Sequence, residues 1–412
     1  MDLKSRIKKR ALEIWDEVIG NRRHIHMNPE LSYFEHNTMK YVQARLEEMG
    51  IEVQPHIGET KTGLVGYIYG KPGGPTIALR ADMDALPILE ANDIPYKSKN
   101  EGVMHACGHD AHTSSLLGTA KILQELREEF TGTIKLFFQP AEERSPGGAE
   151  MMIADGVLEN PKVQSIFGQH VHPQIEAGKI AVRSGLFMAS ADEIHITVKG
   201  KGGHAAHPMT LIDPVMITAQ MLVSLQQVVS RMADPRIPTV LSFGKVEAKG
   251  VTNIIPNEVH LEGTFRTFDE KWRFEAHKRI KEVATSVVEM YGGTIDIEVR
   301  VGHPFVYNNE DLTARARKSI EAYVGAENVL DLPLWMGAED FAHYSHKVPG
   351  CYYRLGTRSG SEGAILGLHT PTFNIDEDAL KLSTGLMAWI ALQELKMLIA
   401  DGQVGETEGV LV

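Results

Sequence analysis

The pattern that most restricts the fold is an alternation of short apolar runs with helix-length stretches between residues 63 and 171. The runs GLVGYIYG (63–70), TIALRAD (76–82), TIKLFFQ (133–139) and SIFGQHV (165–171) have strand length, and 110–129 and 147–155 have helical character. Apolar strands of this kind are buried on both faces. They predict a sheet covered by helices, an α/β layer architecture. Upstream, 4–27 and 35–49 read as amphipathic helices stopped by Asn28-Pro29 and by Gly50.

The texture changes near residue 190. DEIHITVKG (192–200) alternates, 213–231 is helical, and TVLSFGKVEA (239–248) and EVHLEGTFRTF (258–268) are strands. A helix at 270–290 and the strand TIDIEVRVG (294–302) follow. Strand-helix-strand-strand-helix-strand is the order of a ferredoxin-like α+β domain. A helix at 311–324, a strand at 352–356 and a closing helix at 377–397 come after it. Residues suited to chemistry lie in 80–172 and again near 339–369, which predicts one domain interrupted by another. The expected boundaries are 1–187 and 301–400 for a catalytic domain, 188–300 for the insert, and 401–412 for a frayed tail.

Composition mainly excludes. The 412 residues carry 54 Asp plus Glu against 42 Lys plus Arg, a net charge of -12. That field argues against nucleic-acid and anionic-membrane partners. Two cysteines, Cys107 and Cys351, cannot form a disulfide framework. No 18-residue apolar run stands out as a bilayer span, and Glu13 and Asp16 interrupt the basic N-terminus before a signal-like core forms. The expectation is a soluble cytoplasmic protein.

The densest chemistry is HACGHDAH (105–112), which gathers Cys107, His109, Asp110 and two further histidines. Cys and His favour a borderline-soft divalent metal, zinc ahead of magnesium or calcium. The same pair could serve as a thiolate–imidazole couple, and Asp110 could simply cap a helix. FFQPAEE (137–143) places Glu142 and Glu143 beyond a strand, where open α/β sheets put their ligand crevice. Adjacent carboxylates point differently, so one can ligate a metal while the other reaches an activated water. RADMDALP (80–87) ends a strand in Asp82 and Asp84, either of which could orient a histidine, bridge metals or form a turn. His170 and His172 follow a further strand, and His369 sits alone in GLHTP. In the insert, KGKGGHAAHP (199–208) offers His204 and His207, and Asn253 and Arg266 supply an amide donor and a guanidinium fork. Turn formation and strand solvation explain those residues equally well. The glycines match neither a dinucleotide fingerprint nor a P-loop.

In collinear order, RRHIHMNPELSYFE (22–35), RADMDALP, MHACGHDAH, QPAEE, GKGGHAAHP, NIIPNEV, GAEDF and GLHTP closely resemble the aminoacylase/carboxypeptidase family of dinuclear zinc amidohydrolases. They look most like the branch of hippurate hydrolases, N-acyl-L-amino-acid amidohydrolases, auxin-conjugate hydrolases and thermostable carboxypeptidases. The resemblance implies a zinc-peptidase-like catalytic domain, with a mixed sheet flanked by helices, interrupted by a ferredoxin-like dimerisation and lid domain. It implies two divalent ions per subunit, zinc before cobalt, manganese or nickel. Their ligands would be Cys107, His109, Glu143, His170 and His369, with Cys107 as the bridge. Glu142 would be the general base and Asp84 the residue orienting a ligand. His204, Asn253 and Arg266 match positions that bind polar groups of the substrate. Many branches begin the metal set with a histidine where this chain has Asp82, and bridge with a carboxylate where it has Cys107.

The activity this implies is hydrolysis of N-acyl-L-amino acids. The alternative is a metallocarboxypeptidase acting on short or N-blocked peptides; a thiol hydrolase and a non-catalytic metal binder stand further back. The implied partner is a second copy of the chain, as a homodimer or a dimer of dimers.

Overall fold

The structure is a computed structural model that describes residues 1–360 and 363–402. From residue 403 onward the expected tail lies outside the described residues. The chain divides into two compact units. One comprises Met1–Gly185, Tyr307–Pro333 and the described residues from Asp340; the other comprises Leu186–Val306 and Leu334–Glu339.

The first unit is built on an eight-stranded mixed sheet. From edge to edge its strands are Glu52–Ile57, Gly63–Tyr69, Thr131–Gln139, Lys71–Asp82, Ser165–Glu176, Gly350–Arg358, Ile180–Val182 and Val329–Asp331. The four central members, from Thr131–Gln139 to Gly350–Arg358, run parallel to one another. Burial on both faces explains their near-continuous apolar sequence. Ile134, Leu136 and Phe138 join the main core, while the alternate Phe137 packs on Tyr344, with ring centroids 5.7 Å apart. Each such fully buried side chain contributes about 1.5–3 kcal/mol.

Helices His109–Glu125 and Ala379–Ala400 pack on each other and on strand Lys71–Asp82. By length and hydropathy, Ala379–Ala400 reaches the level of a membrane span, which the sequence reading did not register. Here 67% of its apolar window is buried inside the protein, so it is the central helix of this core. The helix read over 4–27 is broken at Ile14 into Leu3–Glu13 and Trp15–Met27. The Ile14 N–H still reaches Arg10 O at 3.1 Å, so the break is a local irregularity.

The second unit carries a four-stranded antiparallel sheet in the order Thr239–Glu247, Glu258–Thr267, Asp192–Lys199, Thr294–Val301. With helices Pro214–Gln227 and Glu270–Met290 this is the ferredoxin-like arrangement. Ile217, Met221 and Leu225, spaced by four, and Ala276, Ile280, Ala284 and Val288 pack with Ile194, Ile196, Val198 and Leu261. Asp213 caps the first helix through Val215 N, ahead of Pro214, and Asp269 caps the second through Trp272 N.

Candidate metal centre

The parallel strands deliver their chemistry to one end of the sheet. Asp82 pairs in register with Gln139, and Arg354 with His170, so the segments carrying Asp84, Glu142 and His170 leave near a common edge. Helix His109–Glu125 begins there as well. Gly108 has a left-handed φ of +87°, and a Cβ at that position would lie 2.4 Å from Val171 Cγ2. Only glycine lets the turn place Cys107 and His109 against the sheet so closely.

Cys107 Sγ lies 3.3 Å from His170 Nε2 and 3.4 Å from His369 Nε2. Glu143 Oε1 is 3.1 Å from His369 Nε2 and 3.9 Å from His109 Nε2, and Glu142 Oε2 is also 3.9 Å from His109 Nε2. The result is two donor groups that share the thiol, Cys107–His109–His170 and Cys107–Glu143–His369, each with ligand atoms within 4.8 Å of one another.

Hydrogen bonding fixes which nitrogen each buried ring presents. His109 Nδ1 donates to Asp84 O at 2.9 Å and lies 3.1 Å from Asp84 Oδ1; His170 Nδ1 donates to Val171 O at 2.7 Å. A carbonyl can only accept, so both rings hold a proton on Nδ1, which leaves Nε2 as the nitrogen each can offer to a metal. His109 Nε2 is buried with no hydrogen-bond partner. A buried ring nitrogen without a hydrogen-bond partner, among a thiol and two carboxylates, fits a site where a divalent cation replaces the ring's proton.

The electrostatics agree. Burial works to lower the His109 imidazole, but Asp82, Asp84 and Glu143 outweigh it and lift the group to about 10. Burial pushes the Cys107 thiol well up, and the Glu143 and Glu142 charges push it further. Burial, with Arg354 and His112, holds His170 well below its usual value. The crowd of acids calls for positive charge between these groups.

The two aspartates at 82 and 84 divide their work. Asp82 is closed off by Arg80 Nη1 at 2.6 Å and His112 Nδ1 at 2.6 Å. His112 is itself held at its other nitrogen, which accepts the Val171 N–H at 2.9 Å. Asp84 backs His109 and accepts the Ser32 hydroxyl and the Glu143 N–H. His172 stands outside the donor groups; burial and Arg354 lower it to about 4.

The remaining candidates lie in the second unit. His204 pairs with Ile254 in a two-stranded ribbon, and Ala205 N reaches Asn253 O at 3.0 Å, so His204 and Asn253 are neighbours. Arg266 on Glu258–Thr267 is half-buried and spends Nε on Thr264 Oγ1 at 3.0 Å. Among the described residues no carboxylate pairs with it. Sequence reasoning placed His112 in the metal-suited segment without a role of its own, and it missed Ser32, Glu35 and Arg80, whose residue types carry no signal apart from their contacts.

A sequence profile of peptidase family M20/M25/M40 matches residues 78–393. Thermostable carboxypeptidase 2 of Saccharolobus solfataricus is 41% identical over 398 residues, covering 95% of this chain and 99% of its own. IAA-amino acid hydrolase ILR1-like 4 of Arabidopsis thaliana is 41% identical over 94% of this chain and 88% of its own. The crystal structure of the Bacillus subtilis YXEP protein, a dinuclear metal binding peptidase, superposes with a TM-score of 0.79 at 36% identity, over 93% of this chain and 99% of that one. The chain therefore belongs to peptidase family M20/M25/M40 and is a metal-dependent hydrolase of amide bonds.

Proposed function

We propose that the chain is a metallocarboxypeptidase that removes C-terminal amino acids from short or N-blocked peptides. Sequence alone put hydrolysis of N-acyl-L-amino acids first; the full-length similarity to a thermostable carboxypeptidase reverses that order. Similarity to an IAA-amino acid hydrolase keeps N-acyl-amino-acid hydrolysis as the second reading.

The observation that carries the hydrolytic chemistry is the Glu142–Glu143 pair beside the unpartnered His109 Nε2. Cys107, His109, Glu143, His170 and His369 would hold two divalent ions, zinc first by donor chemistry, with Cys107 common to both donor groups. Such ions supply an acidified water and a polarised carbonyl. Glu142 takes the proton of the attacking water and hands it to the departing amine. Asp84 keeps the His109 ring in the tautomer that leaves Nε2 free. His204 stabilises the carbonyl oxygen as it gains charge, while Asn253 and Arg266 hold the substrate's free carboxylate. Arg266, which has no carboxylate ion pair among the described residues, is available for that role. A thiolate nucleophile at Cys107 is disfavoured, because burial, and after it the neighbouring acids, raise the thiol instead of lowering it.

The second unit is also the proposed contact of a homodimer. Its helix Pro214–Gln227 leaves Met216 and Val223 exposed, and Thr239–Glu247 and Thr294–Val301 are edge strands. Sedimentation equilibrium tests this; a monomer at all concentrations would remove it.

The deciding experiment is a hydrolysis panel run before and after metal removal. Dipeptides and N-blocked dipeptides are compared with N-acetyl- and N-benzoyl-amino acids. Turnover of the peptides above the acyl amino acids supports the carboxypeptidase, and the reverse supports the second reading. Full activity in verified metal-free protein would sink both.

A further inference from the structure

The segment joining helices Trp15–Met27 and His36–Glu48 supplies neither ligand nor base, yet it touches the metal centre's supports from two sides. Ser32 is buried and donates to Asp84 Oδ2 at 2.6 Å, the same oxygen that accepts the Glu143 N–H at 3.0 Å. Glu35 is fully buried, and its Oε1 accepts the N–H of Tyr33 at 3.0 Å and of Ala141 at 2.8 Å. Tyr33 and Ala141 have φ of +75° and +50°. Non-glycine residues occupy that left-handed region only where surrounding contacts hold them. Ala141 is the residue from which Glu142 and Glu143 depart. Beyond that pair, the Tyr33 hydroxyl donates to Arg144 O at 2.7 Å. The 141–144 turn is thus gripped at both ends, and Asp84 is held as well, by three of four consecutive residues, Ser32, Tyr33 and Glu35.

We propose that residues 32–35 form a positioning strap for the metal centre, with Glu35 setting the direction in which Glu142 and Glu143 leave the sheet and Ser32 fixing Asp84 behind His109. The proposal rests on the reading that Glu142 and Glu143 serve that centre. Ser32 and Glu35 are positioning residues, acting through Ala141 and Asp84.

What the turn needs from Glu35 is an acceptor oxygen, not a charge. Burial and the Asp84 charge lift the Glu35 carboxyl to about 8, so below that pH an amide oxygen copies it. Glu35→Gln keeps the acceptor for both amides; Glu35→Ala leaves two amides without it.

The test measures kcat, KM and metal affinity for Glu35→Ala, Glu35→Gln and Ser32→Ala, with folding checked by thermal melting. Affinity is read on metal-stripped protein as Co2+ binding against a competing chelator, which reports on the strap whatever substrate the enzyme prefers. Glu35→Ala should lower kcat by about 10- to 100-fold, the scale of lost outer contacts at metal sites, with KM near the parent's. Glu35→Gln should restore kcat, and Ser32→Ala should weaken Co2+ binding. A folded Glu35→Ala with parental kcat and Co2+ affinity would overturn the proposal, as would a Glu35→Gln no better than Glu35→Ala. If Glu35→Ala does not fold, Glu35→Gln and Ser32→Ala decide: loss of kcat in the first or unchanged Co2+ affinity in the second rejects the strap. Should Glu142→Gln remain fully active while Ser32→Ala still loses Co2+, the catalytic reading fails and the strap stands.

Discussion

Both units bury a cluster of charge, and the two clusters are finished to different degrees. In the inserted unit, Asp192 Oδ1 accepts from Arg273 Nη2 and from Gly302 N, while Oδ2 accepts from Arg273 Nε at 2.9 Å and meets His277 Nε2 at 2.8 Å. That carboxylate is saturated by its own chain. Around Cys107, Glu143 stands with no arginine or lysine ion pair among the described residues, and His109 Nε2 is buried with no hydrogen-bond partner. A cluster that closes on itself holds a fold together; one left incomplete awaits a ligand.

The contrast can be broken most sharply at Glu142. Glu142→Gln should cut kcat by about 10²–10⁴-fold while metal content stays at the parent level. Equal loss of metal would move Glu142 into the ligand set and Glu143 out of the base's neighbourhood.

At Asp192 the expected loss is stability. Asp192→Asn leaves the buried Arg273 guanidinium only Glu270 as a carboxylate partner and should cost roughly 3 kcal/mol in denaturant melts, with metal affinity per folded molecule unchanged. Burial works to raise the Asp192 carboxyl, but the Arg273 and His277 hydrogen bonds outweigh it and lower the group. A depressed folded value makes this contribution complete above the ordinary carboxylate range. It is lost as pH falls through the folded value, and the Asn variant should lack that acid-dependent component. A variant as stable as the parent at neutral pH would end the structural assignment.

Asp84→Asn tests the incomplete cluster from behind. An amide can turn its NH2 toward the His109 Nδ1–H, so metal affinity should fall about 10- to 100-fold. Unchanged affinity would mean that the Asp84 backbone carbonyl alone holds the ring. The smallest effect is expected at the substrate end. Amidating the substrate's carboxylate removes a charged hydrogen bond worth about 1.5–3 kcal/mol, roughly tenfold or more in kcat/KM. Arg266→Ala should erase the difference between acid and amide; a difference that survives would take anchoring away from Arg266.

Much of this architecture is legible in the sequence because burial on two faces writes itself as apolar runs. Glu52–Ile57 escapes, since Pro55 and mostly part-exposed residues disguise an edge strand. Ile180–Val182 and Val329–Asp331 are too short to show any period. At the metal centre, the concentration of Cys107 and His109 announces itself by residue type. The separation of Asp82 from Asp84 does not, because it depends on Arg80 and His112 reaching the first and leaving the second to His109. Glu35 is harder still. Its contact with Ala141 spans 106 positions and involves a backbone amide, which no side-chain pattern encodes.

Strand Gly350–Arg358 lies between Ser165–Glu176 and Ile180–Val182, so a growing chain makes the neighbours long before the strand that joins them. At ~5–20 residues per second, the wait is roughly 10–30 s. Meanwhile every strand of the four-stranded sheet has left the ribosome, and the insert can bury its core as a unit of its own. The nascent sheet must carry a gap one strand wide while the insert folds. His369 emerges later again, so the Cys107–Glu143–His369 donor group is completed well after Cys107, His109 and His170 have all been made.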